Sequence, residues 1–514
     1  MDGVVVYSSI VLGVGIVVGV WWFLNWVWVR PKKMEKLLRK QGFKGNPYRV
    51  WYGDLRQQTS MVEEAMSKPI NISDDIVPRV IPFVSHHVDC YGKKSFIWNG
   101  PTANVVIVDP EMVKEVFTKN FVFQKPTANP LFRMFLIGLP SIEGEKWAKH
   151  RRLLKPAFLM ERLKDMLPAF DLCCCKMTTK WQQKMLEGNS CELDVMPYLQ
   201  TLTSDVISHT AFGSSYEEGS RVFELQIEQL QLAIETLQSV YIPGSRYLPT
   251  RSNQRMKEID KEVRLSLKRI IDKKLEVMKT TGKGSNDLLG ILLESNLNEV
   301  QHGNGSMGMS TQDVIDECKL FYFAGQETTS VSLAWTLLLL SLHPNWQDKA
   351  RKEVLHVIGK RKPEFADLSQ LKIVTMILYE VLRLYPPVTL VNRIIHEETK
   401  LGDVTLPPGV LFTLPIQLIH HDREIWGDDV KIFNPERFSE GVSKATKNRT
   451  VFLPFGGGPR ICIGQNFALL EIKFAIAMML AQFSFELSPS YTHAPACLGS
   501  LRPQHGVNLI IHKL

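Results

Sequence analysis

The hydrophobic pattern opens with one long uncharged run: between Val4 and Val29 no charged residue occurs, and the stretch is rich in valine, glycine and tryptophan. A bilayer takes about 20 apolar residues of helix, so this run predicts a membrane-spanning helix. Trp21, Trp22, Trp26 and Trp28 gather at one end as an interfacial belt would. Arg30, Lys32, Lys33, Lys36, Arg39 and Lys40 follow at once, whereas only Asp2 precedes. That asymmetry predicts a single pass with the bulk of the chain in the cytosol. A cleaved signal peptide would show a shorter core, with its positive charge ahead of it. The expected organisation is a transmembrane signal anchor over 1–30, a basic linker and first helix over 31–60, and one large unit over 61–514.

Within that unit the pattern is mainly α with a small β region. Ser95 to Asp109 alternates around Asn99, Gly100 and Pro101, which predicts a hairpin, and Asp109-Pro110 then opens a helix. Phe121 to Gly144 is apolar and aromatic without a period. Residues 160–300 repeat mostly at helical spacing, with polar breaks at Glu187 to Ser190 and Lys279 to Asn286. Ile242 to Thr250 is a Pro- and Gly-punctuated loop, and His302 to Gly308 a glycine-rich connector. Ser310-x-x-Asp313 reads as a helix N-cap and Leu342-His343-Pro344 as the end. A helix of about 30 residues results, roughly 45 Å long and able to cross the whole unit. Thr405 to Leu414 predicts a second hairpin built on Pro407, Pro408 and Gly409.

Hydrophobic content of 45% and charged content of 22% belong to a folded chain rather than a disordered one. The net charge of +8 suits an anionic membrane surface or an acidic protein partner. No basic run interleaved with aromatics is present, so nucleic acid is not an expected partner. Eight cysteines, three of them adjacent at Cys173, Cys174 and Cys175, form neither a disulfide framework nor a zinc spacing. A reducing compartment is expected.

The chemistry concentrates in four places. Phe455, Gly458, Arg460, Cys462 and Gly464 form the skeleton F-x-x-G-x-R-x-C-x-G. Gly456, Gly457 and Gly458 permit positive φ and close approach of backbone to a flat group. A helix from about Gln465 would point its N–H groups back at Cys462 and favour a thiolate. Ala324-Gly325-Gln326-Glu327-Thr328-Thr329 lies in the middle of the long helix. Its small residues open a groove, and a threonine hydroxyl bonding one turn back would locally widen the helix. Trp147-x-x-x-Arg151 shares one helix face. Glu380-x-x-Arg383, flanked by apolar residues, predicts a buried ion pair that needs further hydrogen bonds, with Arg437 of Asn434-Pro435-Glu436-Arg437-Phe438 as their source.

In this order the four motifs resemble the cytochrome P-450 superfamily, the haem-thiolate monooxygenases, over nearly the whole chain. The resemblance implies haem b with Cys462 as axial iron ligand. It implies a contact to that haem from Phe455 and from Ala324 and Gly325, and propionate partners in Trp147, Arg151, Arg393 and Arg460. Thr328 and Glu327 become the catalytic pair, alcohol and acid, that delivers protons. Glu380, Arg383 and Arg437 become a structural triad. Val388, Thr389, Leu390 and Val391, together with the turn from Cys497 to Leu501, would border the substrate, and Phe121 to Gly144 would close over it. Electrons from NADPH would arrive through a flavoprotein reductase docked on Lys146, Lys149, Arg152, Lys155, Lys444, Lys447 and Arg449. The membrane implied is the endoplasmic reticulum. The loop from Ile242 to Thr250 resembles one in a plant clan that oxidises terpenoids and hormones. It points first to a pentacyclic triterpenoid, then to an iridoid monoterpene, a diterpenoid or a steroid hormone. A haem-thiolate isomerase or dehydratase without a reductase is a rival, opposed by the Glu327-Thr328 pair; a haem sensor without turnover is another.

Overall fold

The computed structural model describes residues 2–126, 130, 132–185, 188–213, 216–237, 240, 242, 244–281, 285–302, 308–359, 361–446 and 451–514. The chain opens as the helix Asp2–Leu24, passes through a π-turn at Asn25–Val29 and continues as the helix Arg30–Lys40. Among the described residues this is the one helix long and apolar enough to cross a membrane, and Val11 to Leu24 are exposed throughout. The stretch read as a basic linker is therefore helical up to Lys40. The reason is amphipathic packing: Leu38 is fully buried, while Glu35 accepts from Lys32 Nζ at 2.9 Å and Arg39 Nη2 at 3.0 Å. The second helix of this region is Leu55–Ser67.

Eleven strands follow among the described residues. β1 (Ser95–Asn99) and β2 (Thr102–Val106) form the expected hairpin, and Asp109 Oδ1 accepts from Glu111 N and Met112 N to cap the helix Pro110–Thr118. β3 (Ser190–Asp194) interrupts the region read as helical. β4 (Val391–Ile394), β5 (Thr399–Leu401), β6 (Val404–Leu406) and β7 (Leu411–Leu414) come next. β8 (Phe483–Leu487), β9 (Pro495–Leu498), β10 (Ser500–Pro503) and β11 (Asn508–Lys513) end the chain. The largest sheet runs β1-β2-β7-β4, with β2 parallel to β7 and the other pairs antiparallel. The expected hairpin over Thr405 to Leu414 is not formed. β6 pairs with β5, while β7 crosses into the large sheet. Pro407 and Pro408 have no N–H for a ladder, so the turn carries the chain between sheets instead.

The centre of the molecule is the helix Thr311–Leu342, 32 residues long. Its capping box is complete: Asp313 N donates to Ser310 Oγ at 3.1 Å and Ser310 N to Asp313 Oδ2 at 3.0 Å. Its last turns, from Val331 on, carry no charge on any face, and such a helix belongs inside a protein. Accordingly Val331, Leu333, Ala334, Trp335, Leu337 and Leu338 have no exposed surface. The helices Met196–Ile207, Lys372–Leu384 and Gln465–Leu480 pack against it. All eight cysteines are free thiols.

Candidate active site

The cysteine loop is built from turn chemistry. Gly456 and Gly458 have φ of 73° and 62°, whereas Gly457 is extended at −154°, so two of the three glycines need the left-handed region. A Cβ on Gly458 would run into the carbonyl oxygen of Phe117. Cys462 N donates to Phe455 O at 2.9 Å, which closes the loop before the helix Gln465–Leu480 begins. The sulfur lines a cavity of about 350 Å³. Its side chain is exposed, but the surface it meets is the wall of that cavity. As expected the Gly464 N–H pulls the thiol pKa down, as does Arg151, but burial pushes it up by more. A coordinated metal cation would deprotonate this thiol.

The opposite need is visible at the cavity edge. Lys125, Arg151, Arg393 and Arg460 all line it. Arg460 pairs with Glu143, whose other oxygen accepts from Lys125 N at 2.7 Å. The Arg460 guanidinium also stacks on Trp147 at 4.2 Å, fixing both side chains. Burial, then Arg393 and Arg460, press the Lys125 ammonium down to about 7. Burial and Arg460 press Arg393 down to about 10. Among the described residues, four cations against the one carboxylate of Glu143 call for an anionic guest, because unpaired buried charge is costly. A group with a flat apolar body, a metal at its centre and carboxylates at its edge satisfies both ends. The residues present therefore fit haem.

On the far side stands the central helix. Ala324, Gly325 and Thr328 line the cavity, and Thr328 Oγ1 donates to Ala324 O at 2.8 Å. The helix is α through this point, and the hydroxyl bond one turn back is the one expected. A Cβ on Gly325 would come within 2.7 Å of Ile207 Cδ1; glycine here lets the neighbouring helix close in. Glu327 is buried and does not line the cavity. Its carboxylate is held by Ser500 Oγ and the Arg502 guanidinium on β10. Val388 and Val391 line the cavity; Thr389 and Leu390 do not. Thr389 is buried, its hydroxyl 3.2 Å from Cys497 Sγ, and the turn from Cys497 to Leu501 is likewise not in the lining.

Beneath the cysteine loop, Arg383 Nε and Nη2 hold both oxygens of Glu380 at 2.8 and 2.7 Å. Asn434 N donates to Glu380 Oε1 at 3.0 Å. Arg437 stands 3.7 Å from Glu380 and only 2.8 Å from Asp429, so the backbone of Asn434 supplies the hydrogen bond expected of Arg437. His420 joins this group to the loop above. Leu453 N donates to His420 Nε2 at 2.9 Å, and Nδ1–H donates to Arg383 O at 3.2 Å. Of the expected docking cations, Lys146 pairs with Asp313, Arg152 with Glu299, and Lys149 donates to Gly308 O. Lys155 and Lys444 are exposed; Lys447 and Arg449 lie outside the described residues.

Sequence reading missed Lys125, Glu143, His420, Ser500 and Arg502. Lys125 left a trace, as a lone charge just past the apolar run Phe121-Val122-Phe123, and Ser500 lies in the turn expected near the substrate.

The cytochrome P450 family profile matches residues 82–508. The chain is 61% identical to cytochrome P450 72A397 of Kalopanax septemlobus, with all of both chains covered. It is 52% identical to 7-deoxyloganic acid hydroxylase of Catharanthus roseus over 99% of each chain. Secologanin synthase 1 of the same plant is 51% identical over 96% of this chain and 95% of its own. The match takes in the Cys462 loop, the Thr328 helix and the four cations of the cavity, and the chain therefore belongs to the cytochrome P450 family of haem-thiolate monooxygenases.

Proposed function

We propose that this monooxygenase is anchored in the endoplasmic reticulum membrane by its first helix, with its catalytic unit in the cytosol, and hydroxylates a terpenoid skeleton. A pentacyclic triterpenoid is the first choice. The observation that carries this reading is the distribution of charge in the cavity. Every charged residue in the described lining belongs to the one cationic group at the edge. The remaining wall is apolar, with Ile207, Leu320, Phe321, Val388 and Ile416, apart from the hydroxyls of Thr328, Thr329 and Ser332. Such a wall suits a large neutral ring system and offers a substrate carboxylate no cation beyond that group. A second reading, an iridoid acid, is favoured by the name of the Catharanthus hydroxylase.

When bound, haem supplies the iron at which dioxygen is activated with electrons that a reductase takes from NADPH. In this reading Cys462 would supply the sulfur ligand to the iron, while Trp147, Arg151, Arg393 and Arg460, joined by Lys125, would hold the propionates. Phe455, Ala324 and Gly325 border the ring. Thr328 Oγ1, whose proton is directed to Ala324 O, offers its lone pairs to the cavity and accepts and releases protons there. Glu327 recharges Thr328. Its carboxylate is turned toward Ser500 and Arg502, so the relay requires a swing of the side chain toward the cavity. Lys155 and Lys444 belong to the face proposed for the reductase.

Microsomes from cells making this chain and a plant reductase test the reading directly. Oxygenated products of a neutral pentacyclic triterpene, dependent on NADPH, are expected. Turnover of the iridoid acid alone would replace the first choice by the second, and fatty-acid products alone would overturn both.

A further inference from the structure

The passage from membrane helix to catalytic domain is tied at several points. Leu24, Val29 and Arg30 all have right-handed helical backbone, so the helix turns continuously through the π-turn at Asn25–Val29. A π-turn disturbs the regular i to i−4 ladder. Here the carbonyl of Val27 accepts from Tyr48 Oη at 2.7 Å, and that hydroxyl in turn accepts from Trp51 N at 3.2 Å. The Tyr48 ring is buried against Trp98 of β1, 4.8 Å away. Trp51 has φ of 70°, a left-handed backbone that no other non-glycine residue shares among the described residues. An indole is held there at a cost, which persists only where the surroundings over-determine it. The surroundings are Trp26 at 5.8 Å, edge-on at 84°, and Phe23 at 5.9 Å, both on the membrane helix. Beside this corner Val50 and Tyr52 are exposed, and the Arg56 guanidinium lies 3.8 Å over the Tyr52 ring.

We infer that Tyr48 and Trp51 form a clasp that locks the membrane helix to the catalytic domain, so that both tilt on the bilayer as one rigid body. The clasp sets Val50 and Tyr52 into the boundary between headgroups and acyl chains, with Arg56 at the level of the lipid phosphates. The inference rests on the anchoring proposed above. A swivelling tether would need neither the tyrosine bond nor a tryptophan held in left-handed backbone.

The test uses the full chain with haem bound, reconstituted in oriented phosphatidylcholine bilayers, and reads the linear dichroism of the haem band. Wild type gives marked dichroism. Tyr48→Phe reduces it, and Tyr48→Phe with Trp51→Gly abolishes most of it. Both variants resist carbonate extraction and keep the thiolate-type carbon monoxide spectrum. Undiminished dichroism in the double variant overturns the clasp; if that variant does not fold, undiminished dichroism in Tyr48→Phe, which lacks a single hydroxyl oxygen, does so. Release of the wild type by carbonate overturns the anchoring itself, and the inference with it.

Discussion

At the scale of single residues, His420 shows how a side chain with no chemical duty can decide whether a site exists. It is fully buried, and burial followed by the charge of Arg383 pushes its pKa down to about 3, so it remains neutral. Neutrality leaves Nε2 free to accept from Leu453 N in the segment that leads to Cys462. The two nitrogens can be separated by substitution. Glutamine reaches the Nε2 position and asparagine the Nδ1 position. His420→Gln therefore keeps the bond to the loop, while His420→Asn leaves a buried N–H unpaired at a cost of about 1–3 kcal/mol. The ferrous carbon monoxide spectrum is expected to retain its thiolate form in the glutamine variant and to lose much of it in the asparagine variant. Equal spectra would show that the loop does not depend on this bond. Histidine next to His421 and Asp422 resembles any polar helix end in a sequence, and only the fold brings it under Leu453.

At the scale of elements, the cysteine loop is placed by the helix Pro110–Thr118 as much as by its own turn. Phe117 closes over Gly457 and Gly458 from outside. The glycine pattern was legible, but not which glycine matters. Gly458 combines left-handed backbone with a carbonyl in the path of a Cβ. Gly457 is extended and meets only side-chain atoms at 3.2 and 3.3 Å. Gly458→Ala thus has a strain of about 1–2 kcal/mol from the backbone alone before the clash is counted. Haem content per mole of purified protein is expected to fall sharply for Gly458→Ala and little for Gly457→Ala; the reverse order would contradict the loop geometry. The missed β3 and the absent Thr405 to Leu414 hairpin have one cause. Strand pairing is settled by distant partners, and β3 finds its partner in β11, at the other end of the chain.

At the scale of the whole molecule, the buried histidines make stability depend on pH. Burial holds His420 near 3 and His421 and His493 near 4, while the unfolded chain protonates near the ordinary value of 6.5. Between those values the unfolded state binds more protons, so stability is full above about 6.5 and falls as the pH drops toward 4. Each group contributes about 1.4 kcal/mol per pH unit inside that window. Urea midpoints of the solubilised protein should decline from pH 7 to pH 5, and His420→Gln should lower the slope by one proton. A flat profile would contradict the burial of these rings in a neutral form.

The sequence by itself determined the family and most of the iron side of the site, because covalent spacing is enough to put a sulfur, three glycines and a helix start in one loop. It determined the apolar length of the first helix for the same reason: composition is local. Only the tertiary structure decided where charge is balanced. Lys125 joins Arg393 and Arg460 from a different part of the chain, and Glu327 turns to Arg502 across the helix, because ion pairing is governed by distance in space and by the loss of water around buried groups. Tertiary packing alone also converted an apparent basic tether into a docked helix, since Tyr48 and Trp51 meet Val27 and Trp26 only after the chain has folded back.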